Sequence, residues 1–361
     1  IGKIAALLYK RFESGKHPIA LQSMDNCSHN GDVLRNAILA YGKAWAEEGL
    51  VPYSFLDYLS DSTCVSYPWS MIDKITPYPD TKVQELLKAD GFTDTDIIVT
   101  EKGSHTAAFI NAEETEYLVL EDNYPAGRPP LELGGIIFTE REKVAKVEKM
   151  KVCTCLNPLH TALAIFGCLL GYTRICDEMK NENLVKLISK MGHEEAMPVV
   201  TDPGIIRPAD FIDAVIKKRL PNPFMPDTPQ RIATDTSQKL AIRFGETIKA
   251  YIDRGLDIER LTLIPLTLAA YSRYLKGIDD EGKIFTLSPD PKLEELSAIV
   301  SELEVKTIPQ DMSILRQLYT RKDVFGIDLY EVGLGEKIEA MAGELYNGSG
   351  AVQKTLHKYL K

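Results

Sequence analysis

Reactive residue types are densest in KVCTCLNPLH, residues 151–160. Asn157 followed by Pro158 is a helix start, because Asn accepts from free amides and Pro tolerates the first helical position. Asn157 and His160, three apart, then project from the helix N-terminus, where free N–H groups and the dipole favour a developing negative charge. On that helix Leu159, Leu163, Phe166 and Leu170 form an apolar stripe. His160, Ala164, Gly167 and Gly171 form a second stripe, small enough below the imidazole for something to approach closely. The same two polar residues also suit structural duties, a cap and a satisfied buried imidazole, and spacing alone leaves both readings open.

Other candidates lie on both sides of this segment. MDNCSHNG, residues 24–31, follows a strand, and polar residues at the C-terminal end of a strand in an α/β domain lie where ligands bind, so Asp25 and Asn26 are candidates. Asn30 and Gly31 read instead as a turn with positive φ. In WSMIDKITP, residues 69–77, Asp73 stands among apolar neighbours, and a buried carboxylate needs a partner. Arg231, Lys239 and Arg243 cluster within residues 229–244 as a pocket for a carboxylate or several hydroxyls, or as a solvated surface. Arg231 and Lys239, eight apart, share a face if one helix spans them, whereas a turn at 234–237 separates them.

Metal and phosphate chemistry find less support. Cys153 and Cys155 form a C-x-C pair where zinc sites usually present C-x₂₋₄-C, so we expect ordinary thiols and no metal. No complete G-x-G-x-x-G occurs, and the nearest P-loop candidate, GIDDEGKI, carries three carboxylates and ends in Ile.

The elements that must position these residues fall into two regimes. Up to about residue 140, strand-like runs at 18–23, 96–100 and 117–121 alternate with helical spacing at 31–48 and 80–89, and 124–130 reads as a loop. From about 141 onward helix follows helix, at 157–172, 182–191, 208–218, 239–253, 261–275, 291–303 and 334–342. We therefore expect an α/β domain over residues 1–141 and a mainly α-helical domain over 142–361. The chain's 361 residues suffice for two cores. A formal net charge of −10 repels nucleic acid and anionic lipid, so an anionic ligand needs a local cationic pocket. The apolar runs at 161–172 and 261–271 are shorter than a bilayer span, and six scattered cysteines do not make a disulfide scaffold, so we expect a cytoplasmic protein with reduced thiols. The opening helix runs straight into a buried strand, which suggests that part of the first domain lies upstream of Ile1.

Five segments, taken in order, resemble the long-chain mannitol dehydrogenase family of polyol and sugar-acid dehydrogenases. They are MDNCSHNG (24–31), SMIDKITP (70–77), LVLEDNYPAGRPPLELGG (118–135), residues 151–160 with TALAIFGCLLGY after them, and RLPNPFMPDTPQRIATDTSQKLAIR (219–243). The resemblance implies a Rossmann-type N-terminal domain, incomplete in this chain, and a helical C-terminal domain meeting it at the active site. It implies NAD or NADP as cofactor and no metal. Residue by residue, Lys151 would be the general acid/base, and Asn26 and Asn157 would hydrogen-bond the reacting oxygen. His160 and Asp73 would bind or orient substrate, Arg231 and Lys239 would contact its far end, and Glu148 would exchange protons with solvent. Asp25 and Asn26 would also border the cofactor.

One departure bears on Lys151. The family pattern has four residues between this lysine and the Asn, whereas five separate Lys151 from Asn157. A local bulge would keep Lys151 in place; an extended segment would turn it to the opposite side. We expect the bulge. The function implied is NAD(P)-dependent interconversion of a keto sugar acid and a sugar-acid alcohol, such as fructuronate and D-mannonate. Mannitol or tagaturonate chemistry is the alternative, and a non-catalytic sugar-acid binding protein is the competing class. Partners would be a small sugar acid or polyol, with no nucleic acid or membrane, in a monomer or small homo-oligomer.

Overall fold

A computed structural model describes all residues except 75, 77, 113–116, 226, 308 and 309. Ile75 and Pro77 of the 70–77 segment and Pro226 of the 219–243 segment therefore lie outside the described residues. The early elements are α1 (Gly2–Glu13), β1 (Ile19–Ala20), α2 (Asn30–Glu47), α3 (Ser54–Ser60), β2 (Val65–Ser66) and β3 (Ser70–Asp73). Next come α4 (Thr81–Ala89), β4 (Ile98–Val99), β5 (His105–Thr106), β6 (Tyr117–Glu121), β7 (Ile137–Thr139) and α5 (Arg141–Met150). The helical part holds α6 (Asn157–Leu169), α7 (Ile175–Glu178), α8 (Glu182–Lys190), α9 (Pro208–Ala214), α10 (Pro229–Ile232), α11 (Thr236–Leu240), α12 (Glu246–Asp253) and α13 (Leu263–Tyr274). It closes with α14 (Leu293–Val300), α15 (Arg316–Tyr319), α16 (Lys322–Phe325), α17 (Gly335–Leu345) and α18 (Ala351–Tyr359).

Two compact units result. The first comprises residues 1–75, 114–148 and 203–205; the second comprises 76–113, 149–202 and 206–361. Their division falls at 148/149, inside α5, rather than at the expected 141/142, and residues 76–113 pack with the helical unit despite their strand signal.

In the first unit β1 pairs parallel with β2. Parallel neighbours need a crossover, and α2 and α3 supply it. Leu8, Ile38, Phe55, Leu59 and Val65 form the core beneath that crossover. β6 pairs antiparallel with β3 and parallel with β7. Arg141 at the start of α5 donates to Glu121 Oε2 (2.9 Å) and lies over the Trp69 ring, while the Trp69 amide donates to the same carboxylate oxygen (3.0 Å). This joins α5 to β3 and β6.

The second unit is built around α13, all of whose residues are buried. It packs on α6 and α17. Among the described residues four stretches are π-helical: 151–155, 191–196, 215–219 and 241–245. The first joins α5 to α6, so residues 141–169 form a helical run of 29 residues, long and apolar enough to cross a membrane. Of its apolar window 78% is buried inside the protein, which makes it a core helix.

The expected helix over 239–253 is divided by the π segment 241–245, and the one over 208–218 ends in another. The strand expected over 117–121 forms with those bounds, whereas those over 18–23 and 96–100 shrink to two residues each.

Candidate active site

In the second unit, the extra residue between Lys151 and Asn157 is taken up by the π turn Lys151–Cys155, where the Leu156 amide donates to Lys151 O (3.1 Å) five residues back. A π turn is a one-residue insertion into an α-helix, so the segment bulges as expected but is helical rather than extended. Lys151 keeps only 7% of its surface exposed.

Asn157 begins α6, as expected, but does not cap it. Leu156, at φ −129°, occupies the capping position and no side chain bonds there. The His160 amide donates to Leu156 O (2.9 Å), the first bond of the helix, and the Thr161 side-chain Oγ1 donates to Asn157 O (2.9 Å). The Asn157 side chain, half-buried, is released from capping.

His160 is gathered with several charged groups. Its Nε2 lies 3.3 Å from Asp227 Oδ2, though off the alignment of a full hydrogen bond. The other oxygen of Asp227 accepts from Arg231 Nε (2.9 Å) and from Arg231 Nη2. Arg243, on the π segment 241–245, donates to Thr161 Oγ1, next to His160. Lys239 donates to Thr234 O and reaches Ile232 O (3.5 Å). The turn reading for 234–237 is the one realised, since α10 ends at Ile232 and Asp235 takes a left-handed conformation before α11.

Electrostatics follow from this crowding. Burial lowers the pKa of His160, with Arg243 and Arg219 adding to the effect and Asp227 opposing it. Burial and then Arg243 lower that of Lys239, and burial brings Arg243 down to about 10. Asp227 is held below the usual carboxylate range by His160 and Arg231, against a desolvation penalty. Behind α6, the small stripe at Gly167 meets the Glu178 carboxyl, since a Cβ at Gly167 would stand 2.1 Å from Glu178 Oε1. Glu178 is fully buried, and burial with nearby Asp227 raises its pKa well above the usual value.

Asp227, Glu178 and the buried Arg219 were missed from sequence. The four-residue spacing of Asp227 and Arg231 was a usable signal; Glu178 carried none.

The first unit holds the other set. Asp25 and Asn26 stand exposed on the loop between β1 and α2. Asn30 and Gly31 do not form the expected positive-φ turn. Both are helical, and the left-handed residue is His29 (φ 54°), stacked on Trp69 at 4.2 Å. The reason is packing: buried Asn30 donates to Asp25 O (2.8 Å) and Ser70 Oγ (2.7 Å) and accepts from the Ser70 amide (3.0 Å), pinning the loop to β3. At Gly31 a Cβ would stand 2.4 Å from Tyr67 O, so α2 and the segment 67–69 leading into β3 approach too closely for a side chain. Ser28 Oγ donates to Glu148 Oε1, which brings that carboxylate to the same loop. Asp73, buried at the end of β3 opposite Tyr117, lies on the strand that anchors the loop.

All six cysteines are free thiols, and burial pushes Cys155 up to about 12, far from the thiolate a metal would take. Among the described residues no group of three or more His, Cys, Asp or Glu could hold a metal ion.

Two family models match the chain: the mannitol dehydrogenase C-terminal domain over residues 143–340 and the mannitol dehydrogenase Rossmann domain over residues 1–133. This chain belongs to the mannitol dehydrogenase family. It has a Rossmann-type N-terminal domain followed by a mainly helical C-terminal one. It is 52% identical to the D-mannonate oxidoreductase of Thermotoga maritima over 99% of its own length and 66% of that protein's. Against the mannitol 2-dehydrogenase of Phaeosphaeria nodorum it is 31% identical over 90% of its length and 51% of the relative's. Among solved structures, the Pseudomonas fluorescens mannitol 2-dehydrogenase ternary complex with NAD and D-mannitol matches with a TM-score of 0.69 at 28% identity, over 99% of this chain and 65% of that one. The chain thus spans one half to two thirds of the length of these relatives.

Proposed function

We propose that this chain forms part of an NAD(P)-dependent oxidoreductase interconverting a keto sugar acid and a sugar-acid alcohol, such as fructuronate and D-mannonate, in the cytoplasm. The observation that carries the reading is the cationic set around His160. Arg219, Arg231, Lys239 and Arg243 crowd one region, where Asp227 is the ionised carboxylate and Glu178 is pushed toward its neutral form. Mutual repulsion and partial burial make such crowding costly unless anions answer it, and a sugar-acid carboxylate would do so beside Asp227. The 52% identity to a D-mannonate oxidoreductase supports the same substrate class, and the free thiols agree with a reducing compartment.

In this reading Lys151 takes the hydroxyl proton during alcohol oxidation. Lys151 is buried, with little of its surface open to solvent. Asn157, not occupied in capping, donates to the reacting oxygen without competing for its proton. His160 and Asp73 orient the sugar chain, Arg231 and Lys239 take its far end, and Glu148 passes protons to solvent at the exposed 21–29 loop. The second amide, Asn26, rests on the family resemblance.

Asp25 and Asn26 fit the nicotinamide end of NAD or NADP, being exposed amide and carboxylate groups on the loop leaving a parallel strand; the sequence holds no complete Gly-rich fingerprint for the pyrophosphate. When bound, the nicotinamide accepts or supplies the hydride, and the protein's part is proton transfer and orientation. The test is oxidation of NADH and of NADPH with fructuronate, tagaturonate and fructose. Fructuronate should be the best substrate; turnover of fructose alone would shift the reading to mannitol 2-dehydrogenase, and no turnover would favour a sugar-acid binder.

A further inference from the structure

Asp227 faces two candidate substrate-binding residues with two different oxygens. Oδ1 accepts from both Nε and Nη2 of Arg231, while Oδ2 lies 3.3 Å from His160 Nε2. Its side chain is only 9% exposed, and its own backbone carbonyl is fixed by the Ile175 amide (3.0 Å) at the start of α7. The carboxylate is therefore held in one place.

A neutral imidazole carries one proton, and its two nitrogens have opposite roles, one donor and one acceptor. A lone pair on Nε2 facing the Asp227 carboxylate would be repelled, so the proton belongs on Nε2. Nε2 is itself buried, whereas the His160 side chain keeps 13% of its surface, so a ligand meets the opposite edge of the ring. The groups facing this pair include Arg219 and Arg243, which disfavour an imidazolium, and Glu178, which burial holds toward its neutral form.

We propose that Asp227 is a positioning residue that fixes His160 as the Nε2–H tautomer while holding Arg231, so that the ring presents Nδ1 as an acceptor for a hydroxyl of the bound sugar chain. The ligand part rests on the reading of His160 as a substrate-binding residue. The tautomer part rests on the Asp227 carboxylate standing 3.3 Å from Nε2 and does not depend on that reading. In this arrangement His160 selects a hydroxyl donor, and the ligand's carboxylate or carbonyl is left to the cationic and amide groups.

The proposal predicts what Asp227→Asn does. Asn has one acceptor oxygen and one donor amide. The two Arg231 donors claim the oxygen, which turns the amide toward His160. Nε2 must then accept, and the proton moves to Nδ1.

The experiment is ¹⁵N NMR of histidine-labelled protein, with the His160 signals assigned by their loss in His160→Gln. In the parent protein Nε2 should resonate as a protonated nitrogen and Nδ1 as an unprotonated one, and D-mannonate should shift Nδ1 in the direction of hydrogen-bond acceptance. In Asp227→Asn the two assignments should exchange, and the KM for D-mannonate should rise about tenfold, the loss of one hydrogen bond, with a much smaller change in kcat. A proton on Nδ1 in the parent protein, or an unchanged tautomer in a folded Asp227→Asn, overturns the proposal. Should that variant fail to fold, the parent spectrum decides alone. The expected tautomers with no response to D-mannonate would refute the hydroxyl-acceptor role, and turnover of fructuronate in the same preparation would show that the sugar-acid reading survives it.

Discussion

Lys151 opens the π turn and Asn157 opens the helix that follows it, and the proposed function gives their side chains different duties. Lys151→Ala should abolish most alcohol oxidation at neutral pH, with partial recovery when small amines are added or the pH is raised, as steady-state kinetics would show. Near-normal kcat with an unchanged pH profile would place the proton acceptor elsewhere. Asn157→Ala should lower kcat by about 10² to 10³, the scale for losing one preorganised donor to a developing oxyanion. Because Leu156 and not Asn157 stands at the cap, the Tm of this variant should stay within the range of a neutral surface change. A drop in Tm with kcat intact would restore a purely structural role. Glu178 gives a residue-scale prediction with a sign. Its folded pKa lies above its unfolded value, so the unfolded chain releases the proton first as pH rises, and stability falls above the unfolded pKa until the folded group also ionises. Glu178→Gln should therefore raise Tm at pH 7 relative to the parent and lose that advantage near pH 4, which thermal melts at the two pH values would check.

At the level of elements, what the sequence disclosed follows from the kind of signal involved. The strand over residues 117–121 and the start of α6 at Asn157 were legible because alternation and an Asn-Pro start are local features. The close approach at Gly167 was legible as a stripe of small residues, though its occupant, Glu178, came from packing that no local pattern encodes. The π segments were not legible, since a one-residue insertion leaves the 3.6-residue period nearly unchanged on each side. They matter because they carry Lys151, Arg219 and Arg243. Asp227 was passed over as one acid among many, although its spacing to Arg231 was visible. Two consequences can be measured. Deleting Cys153 from the π turn should convert it to an ordinary α turn and keep the flanking helices in register, so the fold and part of the Lys151-dependent activity survive; loss of folding would contradict the bulge reading. Gly167→Ala should cost about 1–3 kcal/mol from overpacking against Glu178, and adding Glu178→Ala should relieve part of it, as a double-mutant cycle in denaturant melts would show.

For the whole molecule, the proposed function asks how an acidic protein would recognise an acid. The net charge of −10 works against sugar-acid approach in general, and the second unit answers with four cationic residues drawn from separate segments: residues 215–219, α10, α11 and residues 241–245. Burial of Lys239 and Arg243 makes those charges costly in isolation and effective toward an anion. An uncharged polyol would gain nothing from this arrangement, and so the relative preference for acid and polyol is the quantity on which the account turns. The decisive measurement is the ratio of kcat/KM for D-mannonate to that for D-mannitol, taken with the same cofactor. The account predicts a ratio of at least about 10², the worth of a charged pairing of about 3 kcal/mol, and its collapse toward unity in Lys239→Met with Arg243→Met. Equal or better use of D-mannitol by the parent protein would contradict it.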